Sequence, residues 1–261
     1  MILVYVDDIL ITRSCSTTIS SLVSSLNQTF ALKDLGEVNF FLGIEVSHIE
    51  DCLHLSQSKY LKDVLARAKM QFAEPRPSPM KNGLRLSAFG SDPIESPQFY
   101  RSIVGALQYL TITRPEIAFS VNKVCQFMHS PLQSHWCVVK RILRYLSGTT
   151  DHGLYIKKSN SLDLVEFCNA DWAVDPDDRR STSGYCVFFG PNLIAWQSKK
   201  QQIISRSSTE AEFQSLANII AELMWIKSLL RELRVPLPYS PIIWCDNLSI
   251  VMLATNLILH A

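Results

Sequence analysis

Hydrophobic and polar residues alternate or recur with a different period in each stretch of this chain, and the periods divide it. Residues 1–12 (MILVYVDDILIT) alternate apolar positions around an aspartate pair, which predicts a hairpin. Ile19, Leu22, Val23 and Leu26 recur at helical spacing between Ser16 and Phe30. NFFLGIEVSHIEDCLHLSQ reads as two strands turning near Glu50 and Asp51, and Ser56 to Met70 as a helix. Pro75, Pro77 and Pro79 then exclude helix, so this stretch is an exposed connection. From Phe99 to Gly148 the period is helical in three pieces, broken at Arg114-Pro115 and Ser130-Pro131.

After Asp151 the period changes. GLYIKKS, DLVEFCNADW, GYCVFFG and LIAWQSKK are short strands separated by turn signals such as DPDDRRSTSG and GPN. A long helix is predicted from about Ser208 to Leu233, then a strand PIIWCDN, then a further helix from Leu248 to Thr255. Strands followed by helix, strand and helix predict an α/β layered unit with a mixed sheet. The expected organisation is three parts: 1–55, a helical part 56–150, and 151–261.

Bulk properties narrow the class. The hydrophobic fraction is 47%, enough for a packed core, and Gly and Pro are not enriched. No apolar run reaches membrane-spanning length, so no membrane partner is expected. The N-terminus lacks the basic start of a signal peptide. Seven scattered cysteines with no C-x-x-C pair argue against a zinc site or a disulfide framework. They predict a reducing intracellular setting, cytoplasmic or nuclear.

Net charge is +1 but unevenly spread. Residues 1–55 hold two basic and seven acidic side chains, residues 56–150 thirteen and five, and residues 151–261 ten and twelve. A basic middle between acidic ends suits either a nucleic-acid grip or a well-solvated helical region. Lys59 and Lys62 lie on the first helix of this middle, Lys123 on a later one, and Lys140, Arg141 and Arg144 on one side of the last. They are the candidate phosphate contacts.

Several carboxylates stand where chemistry would need them. Asp7 and Adjacent Asp8 interrupt an apolar run, and must either turn the chain or hold a cation. Phe167, Asn169 and Asp171 share one strand face. Ser207 and Glu210 fit a capping box, which gives Glu210 a structural task. Glu212 instead heads the apolar stripe Leu216, Ile219, Leu223, Ile226 and Leu230, a costly place for a carboxylate without a partner or cation. Asp246 ends an apolar strand, where α/β sheets place ligands. Singly, Asp171 also suits a turn, Glu212 a second cap with Thr209, and Asp246 the N-cap of the next helix. Together these acids suit Mg²⁺ ions acting on phosphodiesters, which takes hard oxygen ligands and two ions about 3.5–4 Å apart.

The longer blocks carry a resemblance. VYVDDIL resembles the catalytic palm hairpin of reverse transcriptases. NFFLGIEV, YRSIVGALQYL, TRPEIAFSVN, RILRYLSGT, DDRRSTSGYCVF, WQSKKQQIISRSSTEAEF and CDNLSIVMLATN resemble the Pol polyprotein of copia-type LTR retrotransposons, especially plant ones. The match runs in order through nearly the whole chain. It implies an α/β (α+β) fold: a partial reverse transcriptase palm (1–55), a helical, basic thumb and connection (56–150), and a ribonuclease H-like mixed-sheet domain (151–261). The implied family activities are RNA-templated DNA synthesis and Mg²⁺- or Mn²⁺-dependent cleavage of RNA in RNA–DNA hybrids. The implied partner is a hybrid or single-stranded nucleic acid, held by phosphates in the basic middle.

The resemblance implies a metal role for Asp7 with Asp8 beside it, and for Glu212 and Asp246 in the ribonuclease H part. Family members read S-D-A-D-W-A-G where this chain reads Cys168-Asn169-Ala170-Asp171-Trp172-Ala173-Val174. The first metal-ligating aspartate therefore falls on Asn169, and Asp171, about 6–7 Å along the strand, is the candidate substitute. Arg13 and Phe213 replace residues that are often Gly and Tyr in the family. The chain begins inside the palm and stops at Ala261, before the stretch that bears the fourth nuclease acid in family members. The expectation is a truncated element, polymerase-inactive and with an impaired nuclease. The alternatives are a host-retained, non-catalytic nucleic-acid-binding module and an inert relic.

Overall fold

The computed structural model describes residues 1–6, 8–13, 15–30, 32–247 and 252. Strands β1 (Ile2–Tyr5) and β2 (Asp8–Ile11) pair antiparallel, with Tyr5 opposite Asp8. The hairpin expected from the alternation is present, but Ile2, Leu3, Val4 and Tyr5 are all exposed rather than half-buried. Helix α1 (Ser16–Thr29) follows and buries none of its residues. Apolar alternation favours the strand pair, yet among the described residues no layer covers it.

The second sheet has the order β3-β4-β5-β6, from β3 (Phe40–Phe41), β4 (Ile44–Ile49), β5 (Cys52–Ser56) and β6 (Leu154–Lys157). All its pairs are antiparallel. The β4–β5 turn falls at Glu50 and Asp51 as the sequence predicts, with Glu50 at φ 49°. Strand β6 is the part of the arrangement that its own sequence does not announce. GLYIKKS lies beyond residue 150, yet it joins the sheet of residues 40–56, with Leu53 opposite Ile156. Gly153 makes the approach possible, since a Cβ there would lie 2.3 Å from the Leu55 carbonyl oxygen.

Four helices form the first core: α2 (Ser58–Arg67), α3 (Pro97–Leu110), α4 (Ala118–Cys125) and α5 (Gln133–Ser147). Helix α2 starts later than expected because Ser56 belongs to β5 and Gln57 takes the N-cap. Ser96 caps α3 by accepting from the Phe99 amide, and Pro97 occupies the first turn, where its missing N–H costs nothing. The apolar faces of these helices meet through Leu61, Val64, Ile103, Leu107, Val139 and Ile142, none more than 1% exposed. Burial of this kind supplies most of the stabilisation of such helices, which are short on their own.

The third sheet has the order β10-β7-β8-β9, from β7 (Leu164–Asp171), β8 (Thr182–Phe189), β9 (Asn192–Lys200) and β10 (Ile242–Cys245). Strand β10 runs parallel to β7 and the other pairs are antiparallel, so the sheet is mixed. Helix α6 (Ser208–Glu232) covers one face. Leu164, Cys168 and Val187 meet Ile219 and Ile226, with Leu216, Leu223 and Leu230 packed around them, as the helical stripe predicts. The helix expected from Leu248 falls outside the described residues apart from Met252.

The helical core and this sheet are tied by side chains. Trp196 Nε1 donates to the Thr111 carbonyl at 3.0 Å. Lys123 Nζ donates to Thr182 Oγ1 at 3.2 Å. The Asp177 carboxylate accepts from Ser87 Oγ and the Ala88 amide at 2.6 and 2.7 Å. Among the described residues the chain is a mixed α/β structure with three sheets. No helix among the described residues is long and apolar enough to cross a membrane.

Candidate functional site

Strand β7 sets the site by alternation. Leu164, Glu166, Cys168 and Ala170 are buried, whereas Phe167, Asn169 and Asp171 are exposed on the opposite face. The parallel partner β10 brings Cys245 level with Cys168, so Asp246 follows beside Asn169. Helix α6 begins above the same strand ends. Its N-cap Ser207 accepts from the Glu210 amide at 3.2 Å, and the Glu210 carboxylate accepts from the Arg206 amide at 2.7 Å. The capping box thus ties Glu210 one residue further back than the usual N-cap amide. With Glu210 occupied at the cap, Glu212 points toward the end of β10.

Glu212, Cys245 and Asp246 converge there, each offering one ligand atom, and these atoms lie within 4.8 Å of one another. Cys245 Sγ donates to Glu212 Oε2 at 3.9 Å. Burial holds the Glu212 carboxyl above its ordinary value, and the neighbouring Asp246 charge adds to that, while a hydrogen bond with the Asn247 side chain pulls the other way. Two carboxylates pressed together in this way repel, and a cation between them relieves the repulsion. Cys168 lies on the buried side of the cluster, its thiol pushed up to about 12 by burial first and then by Cys245, Glu212 and Asp246.

Asn169 is adjacent to this cluster. Its backbone carbonyl accepts from Ser215 Oγ of α6 at 2.9 Å, and its side-chain Oδ1 accepts from the Ala170 amide at 2.6 Å. Asp171 lines the same groove as Asn169 and Asp246 but is not among the converging ligand atoms. It sits at the far end of β7, opposite Thr182, and its charge acts on Lys123. The groove has a volume of about 830 Å³ and lies between this sheet face and the Pro115–Phe119 segment, with Phe167, Trp196 and Trp244 on its floor.

The other candidate residues are dispersed. Asp8 begins β2 in the exposed hairpin, and Asp7 lies outside the described residues. Lys59 and Lys62 are exposed on α2. Lys140 is half-buried on α5. Arg141 reaches Ser78 Oγ of the proline-rich connection at 2.9 Å, and the backbone carbonyl of Arg144 accepts from the Arg76 amide of the same stretch. Lys123 turns toward the third sheet, where burial lowers its pKa against the opposing pull of Asp175 and Asp171. Sequence reasoning missed Cys245. Alternation along PIIWCDN would have placed it on the α6 side.

Comparison with known proteins agrees with the residue blocks. The family profile described as reverse transcriptase (RNA-dependent DNA polymerase) matches residues 1–82. The retrovirus-related Pol polyproteins from transposons RE2 and RE1 of Arabidopsis thaliana are 46% and 48% identical over 259 residues, 99% of this chain. The chain spans 18% of the length of each. An uncharacterized mitochondrial protein of Arabidopsis thaliana is 47% identical over 224 residues, 86% of this chain and 93% of its own length. No solved structure matches. Reverse transcriptases generally bind nucleic acid and use divalent metal ions. The chain belongs to the Pol polyproteins of plant-like copia-type LTR retrotransposons and carries a reverse transcriptase region.

Proposed function

We propose that residues 164–247 form the core of a ribonuclease H-type unit acting on RNA–DNA hybrids, and that its catalysis is weakened in this chain. The observation that carries the reading is the meeting of Glu212 and Asp246 at the end of β10, which lies level with Cys168 of β7, with Asn169 in the adjoining position. The strand order β10-β7-β8-β9, with one parallel edge strand and a long helix on one face, supports it.

The two carboxylates fit a hard divalent cation, because an oxygen of each approaches one point. Glu212 and Asp246 would hold Mg²⁺ or Mn²⁺, which when bound supplies a Lewis acid for activating water at a phosphodiester. The protein's own contribution is placement. Helix α6 fixes Glu212 through the Ser207 cap, β10 fixes Asp246, and Ser215 anchors the strand at Asn169. Asn169 offers a neutral amide oxygen where an acid would complete the set, and Asp171 stands outside it. A neutral donor binds Mg²⁺ less strongly than a carboxylate and leaves less negative charge to balance the ion.

In this reading the exposed Lys59 and Lys62 are available to phosphates, whereas Lys123 and Arg141 have protein partners. Phosphate contacts of this kind give binding that weakens steeply with salt and ignores sequence. The test is cleavage of a labelled RNA–DNA hybrid in Mg²⁺ and in Mn²⁺. Weak cleavage that disappears in Glu212→Gln and rises in Asn169→Asp is expected. Cleavage that is unchanged in Glu212→Gln would overturn the assignment.

A further inference from the structure

We propose that Cys245 makes this cluster a binding site for thiophilic divalent cations, Zn²⁺ and Cd²⁺, in preference to Mg²⁺. The inference rests on the cation-site reading of Glu212 and Asp246 above and changes which ion the site selects. Two ligand types meet from three positions: a helix carboxylate, a strand thiol and a strand-end carboxylate, all within 4.8 Å. Thiol and carboxylate are already in contact at 3.9 Å.

A tetrahedral zinc ion takes Zn–S bonds of about 2.3 Å and Zn–O bonds of about 2.0–2.2 Å, which sets its ligand atoms roughly 3.3–3.8 Å apart. Rotamer-scale movement of Glu212 and Asp246 covers the difference from the present spacing. Magnesium has no use for sulfur and needs an oxygen octahedron. The position that would add a third hard, charged donor holds Asn169, so the set is softer than three carboxylates would be. The cross-strand register places a second sulfur, Cys168, level with Cys245 on the same side of the sheet. It is 6% exposed and forms the dry wall that favours a bound ion over its hydrated form. On ligation the Cys245 thiol loses its proton to solvent and the sulfur lone pair forms the metal bond.

The experiment titrates Cd²⁺ into the full chain carrying serine at the exposed Cys15 and Cys137, and follows the thiolate-to-metal charge-transfer absorbance in the ultraviolet. The same protein is titrated with Zn²⁺ in competition. A saturable band that persists in a large excess of Mg²⁺ is expected. Cys245→Ser should abolish the band, and Glu212→Gln should weaken Zn²⁺ and Cd²⁺ at least about tenfold while the thiol remains. Absence of the band in the parent protein, or a band that survives Cys245→Ser, would overturn the proposal. Hybrid cleavage without the band would sink the thiolate assignment alone. The band without cleavage would sink the nuclease reading and leave the thiolate site standing.

Discussion

Glu166 stands directly opposite Val187 in the β7–β8 pair, and both side chains are fully buried. Neither carboxyl oxygen of Glu166 has a hydrogen-bond partner among the described residues. Burial pushes its pKa up from 4.5 to about 7. The folded state therefore holds this proton more tightly than the unfolded chain does. The contribution to stability is fully present below about pH 4.5 and is lost as pH rises through about 7. A shift of this size corresponds to about 3 kcal/mol at alkaline pH. Unfolding measured at about pH 5 and about pH 8.5 should show Glu166→Leu gaining stability relative to the parent at the higher pH. An equal difference at both pH values would contradict the assignment.

The opposite sign holds at Asp175. Burial alone would raise its pKa, but Lys200 at 2.7 Å and the amides of Asp177 and Asp178 outweigh that and lower it. Its stabilisation is present above the unfolded value of about 3.9 and is lost as pH falls from there through the lower folded-state value. Asp175→Asn should cost about 2–3 kcal/mol at neutral pH. Lys200 keeps Asp178 at 2.9 Å, which holds the loss below that of a wholly orphaned buried charge. Denaturant unfolding of the variant measures it.

Gly153→Ala tests the joining of β6 to the earlier sheet. The added Cβ meets the Leu55 carbonyl oxygen at 2.3 Å and the His54 ring at 2.5 Å, and the backbone oxygen cannot move aside without disturbing the β5–β6 pair. A loss of about 2–3 kcal/mol is expected, together with faster amide exchange in β5 and β6. Parent-like stability would show that β5 and β6 do not approach closely at Gly153.

Local period made most elements legible. The helices of residues 97–147 and the four strands of the third sheet follow their apolar spacing, because each buries the face that the spacing marks. Partner choice was not legible in the same way. Leu154 and Ile156 show that β6 buries one side, but nothing local says that the partner is β5, about a hundred residues earlier. The hairpin of β1 and β2 shows the converse, since its alternation predicts half-burial that no layer supplies among the described residues. At the site, Glu212 was legible as a carboxylate at the head of an apolar stripe, and Asp246 as a strand end. Asp171 shares a face with Asn169 as the period of two requires, but two residues of rise carry it away from the cluster. Cys245 escaped notice because its role depends on the α6 residue above it.

In the proposed ribonuclease H reading, Glu212 and Asp246 form a cation site and Asn169 stands where a third acid would complete it. Asn169→Asp restores that acid without altering the size of the side chain. At saturating Mn²⁺, single-turnover cleavage of an RNA–DNA hybrid by Asn169→Asp should exceed the parent rate by about tenfold or more, a change of about 1.4 kcal/mol in the barrier. The gain should vanish when Glu212→Gln is added. A rate that Asn169→Asp leaves unchanged, or a gain that survives Glu212→Gln, would contradict the account.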